Sequence, residues 1–106
     1  MYYILDENNF MTSSTLEEWS QWFEKRDRTV KKTTVGKYWV STVFIGLDMN
    51  YTNMGEYSES PIVFETMVFT DEEDNKWNYY EERCSTWDQA LTQHDKIIKM
   101  IQNESI

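Results

Sequence analysis

The sequence predicts an α+β domain, an antiparallel four- to five-stranded sheet with two helices packed on one face, in the order β-α-β-β-β-β-α. Three observations carry this. Lys37 to Asp48 and Pro61 to Asp71 are rich in β-branched and aromatic residues and are apolar on both faces, as central strands are when both sides of a sheet are at least partly covered. Two other stretches, from about Thr15 to Arg26 and from Ser85 onward, repeat apolar residues at spacings of three and four behind helix-start signals. Short segments of strand composition between turn residues supply the remaining strands. At 106 residues the chain is read as one domain, 1–106, large enough for a core without disulfides or metals.

Tyr2 to Leu5 is short and apolar and runs into Asp-Glu-Asn-Asn, so it reads as a strand ending in a turn. Ser14-Thr15-Leu16-Glu17 fits a capping box, with Ser14 as the cap, and places Leu16, Trp19 and Phe23 on one stripe of the helix that follows. Cations at the end of that helix suit its dipole. Thr29 to Val35 mixes threonine and valine with Lys31 and Lys32, a composition for an edge strand in which lysine discourages edge-to-edge association. Val35-Gly36-Lys37 reads as a hairpin turn, and Gly46 as a bulge or a close backbone approach. Met49 to Ser60 is a long polar connection carrying Tyr51, Met54 and Tyr57. After the second central strand come an acidic turn, Asp71 to Asp74, a strand from Trp77 to Arg83, and a helix capped by Ser85. Trp87, Ala90, Leu91, His94, Ile97, Ile98 and Ile101 give that helix the strongest periodicity in the chain.

Charge is unevenly laid out. The total is −9, but residues 25–37 are net basic while residues 38–82 hold ten acids against Lys76 alone. Such acidity argues against nucleic acid and for a basic protein partner. The basic segment has no interleaved aromatics before Tyr38 and Trp39, a poor match to RNA binding. One cysteine excludes an internal disulfide, the opening residues carry no secretory pattern, and no stretch approaches the roughly 20 apolar residues of a membrane span. The expected setting is the cytoplasm, where the sequons at Asn50 and Asn103 are chance matches.

Trp39-Val40-Ser41-Thr42-Val43-Phe44-Ile45-Gly46-Leu47-Asp48, Phe64-Glu65-Thr66-Met67-Val68-Phe69, and Ser85-Thr86-Trp87 with Ala90 and His94 stand in this order over the C-terminal two-thirds. In these three blocks the chain resembles a family of small, functionally uncharacterised proteins encoded in tailed-phage genomes and prophages. It departs from the family pattern at Met49, where histidine is usual, and at Gln93, where glycine is usual. The resemblance implies a phage or prophage origin, hence a host-cell cytoplasm, and no particular activity.

Candidate chemistry is sparse. Cys84 and His94 are the single members of their types, but nine helical residues between Ser85 and His94 span about 13 Å, too far for a nucleophile–base pair. Cys84 is expected as a packed thiol and His94 as a core or rim histidine bonded to a neighbour. Glu65 lies mid-strand on the face of Val63, Met67 and Phe69, where a carboxylate needs a partner. Asp48 is the neighbour that would make an acid–base or cation pocket with it; a side chain from an adjacent strand is the structural alternative. Asp71, Glu72, Glu73 and Asp74 crowd too closely for an EF-hand and read as a solvated tip. No phosphate loop, Gly-x-Ser-x-Gly or zinc spacing occurs, so no catalytic residue, metal or cofactor is assigned.

The functional expectation is therefore an acidic phage-type interaction protein, an anti-defence factor that binds and blocks a host protein. Its contacts would be Tyr51, Met54 and Tyr57 with Asp71 to Asp74, and Asp48 and Glu65 as further binding residues. The alternative is a module that binds or sequesters a small, nucleotide-type ligand through Asp48, Glu65 and nearby aromatics; a carboxylate-based hydrolase comes third. Because both central strands are apolar on both faces, a homodimer is expected, joined through Trp39, Val43, Ile45, Met67 and Phe69 with Lys31 and Lys32 outside.

Overall fold

The computed structural model describes residues 2–48 and 61–104. It is an α+β arrangement of a four-stranded antiparallel sheet, a two-stranded hairpin and two helices packed against the sheet. The elements are β1 (Tyr2–Leu5), β2 (Met11–Ser14), α1 (Leu16–Lys25), β3 (Thr29–Val35), β4 (Tyr38–Phe44), β5 (Phe64–Thr70), β6 (Glu81–Cys84) and α2 (Trp87–Glu104). The sheet order is β3-β4-β5-β6, each strand antiparallel to the next.

The central strands are Tyr38–Phe44 and Phe64–Thr70, in full register from Tyr38↔Thr70 to Phe44↔Phe64. Their burial alternates strictly. Tyr38, Val40, Thr42 and Phe44 with Phe64, Thr66, Val68 and Thr70 are the buried set, and both helices pack on their side. α2 lays Ala90, His94, Ile97 and Ile101 along it. At the Phe44 end, Trp22 and Phe23 of α1 pack edge-on and tilted against the Phe44 ring. Burying about a dozen apolar side chains at roughly 1.5–3 kcal/mol each is what stabilises this layer against chain entropy.

Gly36 (φ 57°) opens the two-residue loop that reverses β3 into β4, the position where this hairpin class wants glycine. Gly46 (φ 75°) meets the expectation of a close approach. A Cβ there would lie 2.5 Å from Trp19 Nε1 and 2.6 Å from Phe23 Cζ. The backbone turns at this point, its carbonyl accepts from the Tyr3 amide at 2.8 Å, and Leu47 pairs with Tyr2 instead of continuing the face of β4.

Several details differ from the sequence reading. β2 was not expected: Met-Thr-Ser-Ser has no apolar alternation, and it becomes a strand because the Asp6 carboxylate accepts from the Asn8 and Phe10 amides and folds the chain back on β1. The α1 cap is Thr15, whose hydroxyl accepts from the Glu18 amide while Glu18 Oε1 accepts from the Thr15 amide; the box is displaced by one residue from Ser14. At α2 the cap is Thr86, which accepts from the Gln89 amide. β6 starts at Glu81, because Asn75 accepts from the Trp77 amide and Tyr79 sits at φ 65°, which turns residues 75–80 back on themselves. Val63 leaves the Glu65 face altogether and is fully buried beside Phe64. No described helix is long and apolar enough to cross a membrane.

Candidate functional site

With the helices on the Phe44 side, the opposite face of the sheet carries Trp39 and Val43 from β4 and Met67 and Phe69 from β5. These half-buried side chains belong to neither of the two core clusters. The Trp39 and Phe69 rings stack at 5.8 Å and 17°, and the exposed Tyr79 ring meets Phe69 edge-on at 6.0 Å. Ile45 follows β4 and is also half-buried. All five residues expected on a dimer face are therefore outside the helix-covered core. Tyr79 joins them through the turn at its positive φ, a placement that periodicity does not signal.

Beneath α2 lies a polar string. His94 is fully buried, its Nδ1 2.7 Å from Thr42 Oγ1 and its Nε2 2.9 Å from Thr33 Oγ1. Thr42 and Thr66 hydroxyls meet at 2.6 Å, and Thr66 Oγ1 is 3.2 Å from Gln93 Oε1. Hydrogen-bond directions follow by elimination. Gln93 donates its amide to the Arg83 carbonyl, so its oxygen faces Thr66 and must accept. Thr66 thus donates to Gln93, Thr42 donates to Thr66, and His94 donates from Nδ1 to Thr42, leaving Nε2 to accept from Thr33. In its neutral form, which burial favours, the imidazole carries its proton on Nδ1. Burial pushes its pKa down, and the nearby Lys31 ammonium adds to this. This group has its full complement of partners inside the fold, as expected for a structural histidine.

Glu65 Oε2 accepts from Arg83 Nε on β6 at 3.1 Å, and Arg83 also donates to Glu81 at 3.1 Å. An adjacent strand thus supplies the partner the carboxylate needs. Asp48 Oδ1 accepts from the Ile62 amide at 2.9 Å, so the connection from β5 backward is tied to the end of β4. The two carboxylates are engaged by different groups. Cys84 has its thiol pKa raised by burial, which fits a packed side chain and not an activated nucleophile. Among the described residues no group of three or more His, Cys, Asp or Glu side chains could hold a metal ion.

Asp71, Glu72, Glu73 and Asp74 are all exposed, at the tip between β5 and the turn that precedes β6. The tip is tied at its base. Glu72 accepts from Lys37 Nζ at 2.8 Å and from Asn75 Nδ2 at 3.2 Å, and the Lys37 bond holds the Glu72 carboxyl below its usual range. Asn75 also donates to the Tyr38 hydroxyl at 2.8 Å. Beside the tip opens a cleft of about 510 Å³ lined by Lys37, Tyr38, Asn75, Lys76, Trp77 and Glu104. Lys76 Nζ and the Trp77 indole Nε1 both donate to Glu104 at the end of α2. Tyr51, Met54 and Tyr57 lie outside the described residues.

Sequence reasoning missed this cleft and the polar string, since both are assembled from residues far apart in the chain. The one advance signal was polar residues, Thr42, Thr66 and His94, at positions that the apolar periodicity assigns to the core. No family model matches the chain, and comparison with curated proteins and with solved structures finds no match either.

Proposed function

We propose that this chain is a small acidic interaction protein of phage type that acts by occupying a basic surface on a host protein, with anti-defence as its setting. The observation that carries the reading is the acidic tip, four exposed carboxylates on a turn whose base is fixed by Lys37, Asn75 and Tyr38. A preorganised charged turn binds without the entropy cost of ordering a loop, and its field speeds encounter with a basic partner. The resemblance to phage-encoded proteins and the charge of −9 point the same way.

Affinity capture from lysate of the bacterial host at low salt tests this. A stoichiometric protein is expected, and the combined Asp71→Asn, Glu73→Gln and Asp74→Asn variant is expected to weaken its capture by about tenfold or more. Capture that is absent, or indifferent to those substitutions, sinks the reading.

A small anionic ligand is the second reading, favoured by the Lys37 and Lys76 ammoniums at the cleft, 5.5 and 5.9 Å from the Tyr38 and Trp77 ring centroids. Each ammonium is already neutralised, by Glu72 and Glu104, which is why this reading ranks second. Calorimetry with a nucleotide panel separates the two, because surface blocking expects no heat of binding.

A further inference from the structure

We propose that the sheet face opposite the helices docks a second copy of this chain, face to face, about a two-fold axis that runs along the strands. The strand register gives the face three rows. Thr34, Trp39 and Phe69 form one, Lys32, Ser41, Met67 and Glu81 the next, and Val43, Glu65 and Arg83 the third. The middle row ends in opposite charges. Lys32, on the outer strand β3, is exposed and in no ion pair among the described residues. Lys31 points to the other side and pairs with Asp95, so of the two lysines expected outside a dimer Lys31 alone stays off this face. At the far edge Arg83 serves both Glu65 and Glu81, which leaves one net negative charge.

That asymmetry selects the occupant and its orientation. Sheets packed face to face keep their strands roughly aligned, so a two-fold axis in the interface runs either across the strands or along them. Across the strands, β3 lies on the partner's β3, and Lys32 faces the partner's Lys32. Along the strands, β3 lies on the partner's β6. Lys32 then meets the partner's Glu81, Trp39 meets the partner's Phe69, and each pairing occurs twice. Of the two arrangements, this one alone pairs Lys32 with an opposite charge and ring with ring; in the third row it sets Val43 against the partner's Glu65, a carboxylate that Arg83 already pairs. The acidic tip lies beyond the end of β5, outside the three rows, so a dimer leaves it open.

Size sets the strength. Four strands of up to seven residues cover roughly 19 by 23 Å, about 440 Å² in projection. A stable complex buries about 800 Å² on each partner, so this face is below standard size and the dimer is expected to be a weak one.

Sedimentation of the full chain from about 1 to 200 µM in roughly 0.15 M salt is expected to show a monomer–dimer equilibrium. Met67→Asp, at the centre of the face, is expected to raise Kd by about tenfold or more. Lys32→Glu and Glu81→Lys sit at exposed positions and keep the core intact. Each alone is expected to weaken the dimer severalfold, and the two together to recover it. Circular dichroism checks that every variant is folded. A folded wild-type chain that stays monomeric to 200 µM overturns the proposal, and so does a dimer unaffected by Met67→Asp. A double swap that fails to recover overturns the axis.

Discussion

Gly46 and His94 carry constraints that no neighbour can take over. At Gly46 the ring edges of Trp19 and Phe23 occupy the place of a side chain, and φ of 75° is strained for any L residue. Gly46→Ala combines a left-handed backbone, about 1–2 kcal/mol, with overpacking, about 1–3 kcal/mol. A loss of about 2–5 kcal/mol is expected, read as a fall in Tm of about 10 °C or more. His94 is different, because its cost appears only on titration. Burial depresses its pKa, so as pH falls the unfolded chain takes up the proton before the folded one does. Its contribution is complete above about pH 6.5 and is lost as pH drops from there through the depressed folded value. Thermal unfolding between pH 8 and 5 is expected to show this slope, and His94→Gln to flatten it. Thr42→Val leaves the Nδ1–H and the Thr66 oxygen without their partner and is expected to cost about 1–3 kcal/mol at any pH. Neither the string nor its tautomer could be read in advance. Thr33, Thr42 and Thr66 come from three strands, and only the register of the folded sheet lines them up in one string with the His94 ring.

Elements were more legible than their ends. The central strands announced themselves because Tyr38–Phe44 and Phe64–Thr70 concentrate β-branched and aromatic residues, and α2 because its apolar stripe repeats for four turns. Which face the helices take was not legible, since both faces of β4 are apolar; the Phe44 side wins where Trp22, Phe23 and Trp87 converge on Phe44 and Phe64. β2 has no pattern of its own and exists through the Asp6 turn. Both helix starts fell one residue early in the sequence reading for a single reason. Ser14-Thr15 and Ser85-Thr86 each offer two adjacent hydroxyls, and composition cannot say which one will face the free amides. The structure separates them. Thr15→Ala removes the cap and is expected to cost about 1 kcal/mol. Ser14 Oγ is buried without a hydrogen-bond partner among the described residues, so Ser14→Ala is expected to fall within about 0.5 kcal/mol of neutral, or to stabilise. Chemical denaturation of the two variants side by side checks the assignment, since the Ser14 box would reverse their order.

For the molecule as a whole, the proposed dimer sets a local attraction against a global repulsion. Two chains of charge −9 whose centres are separated by roughly the shortest extent of the fold, 24 Å, repel as whole bodies. Coulomb's law in water puts that repulsion at about 14 kcal/mol unscreened. At 0.01 M salt the Debye length of about 30 Å exceeds the separation, and much of the repulsion survives. At 0.15 M the length shrinks to about 8 Å, and nearly all of it is screened. The contacts of Lys32 with the partner's Glu81 act over a few ångströms and lose far less on the same change. Global screening therefore outweighs local weakening, and the sign of the salt effect is the reverse of that for a simple ion-paired interface. Sedimentation at about 0.01 and 0.15 M salt is expected to show Kd falling by about tenfold or more as salt is added. Lys32→Glu raises the charge on each copy, so it is expected to steepen that fall. Host-protein capture through the acidic tip is an attraction between opposite charges and is expected to weaken over the same range. A dimer that loosens with salt would mean that ion pairs, not the stacked Trp39 and Phe69 rings with Met67, hold the two sheets together.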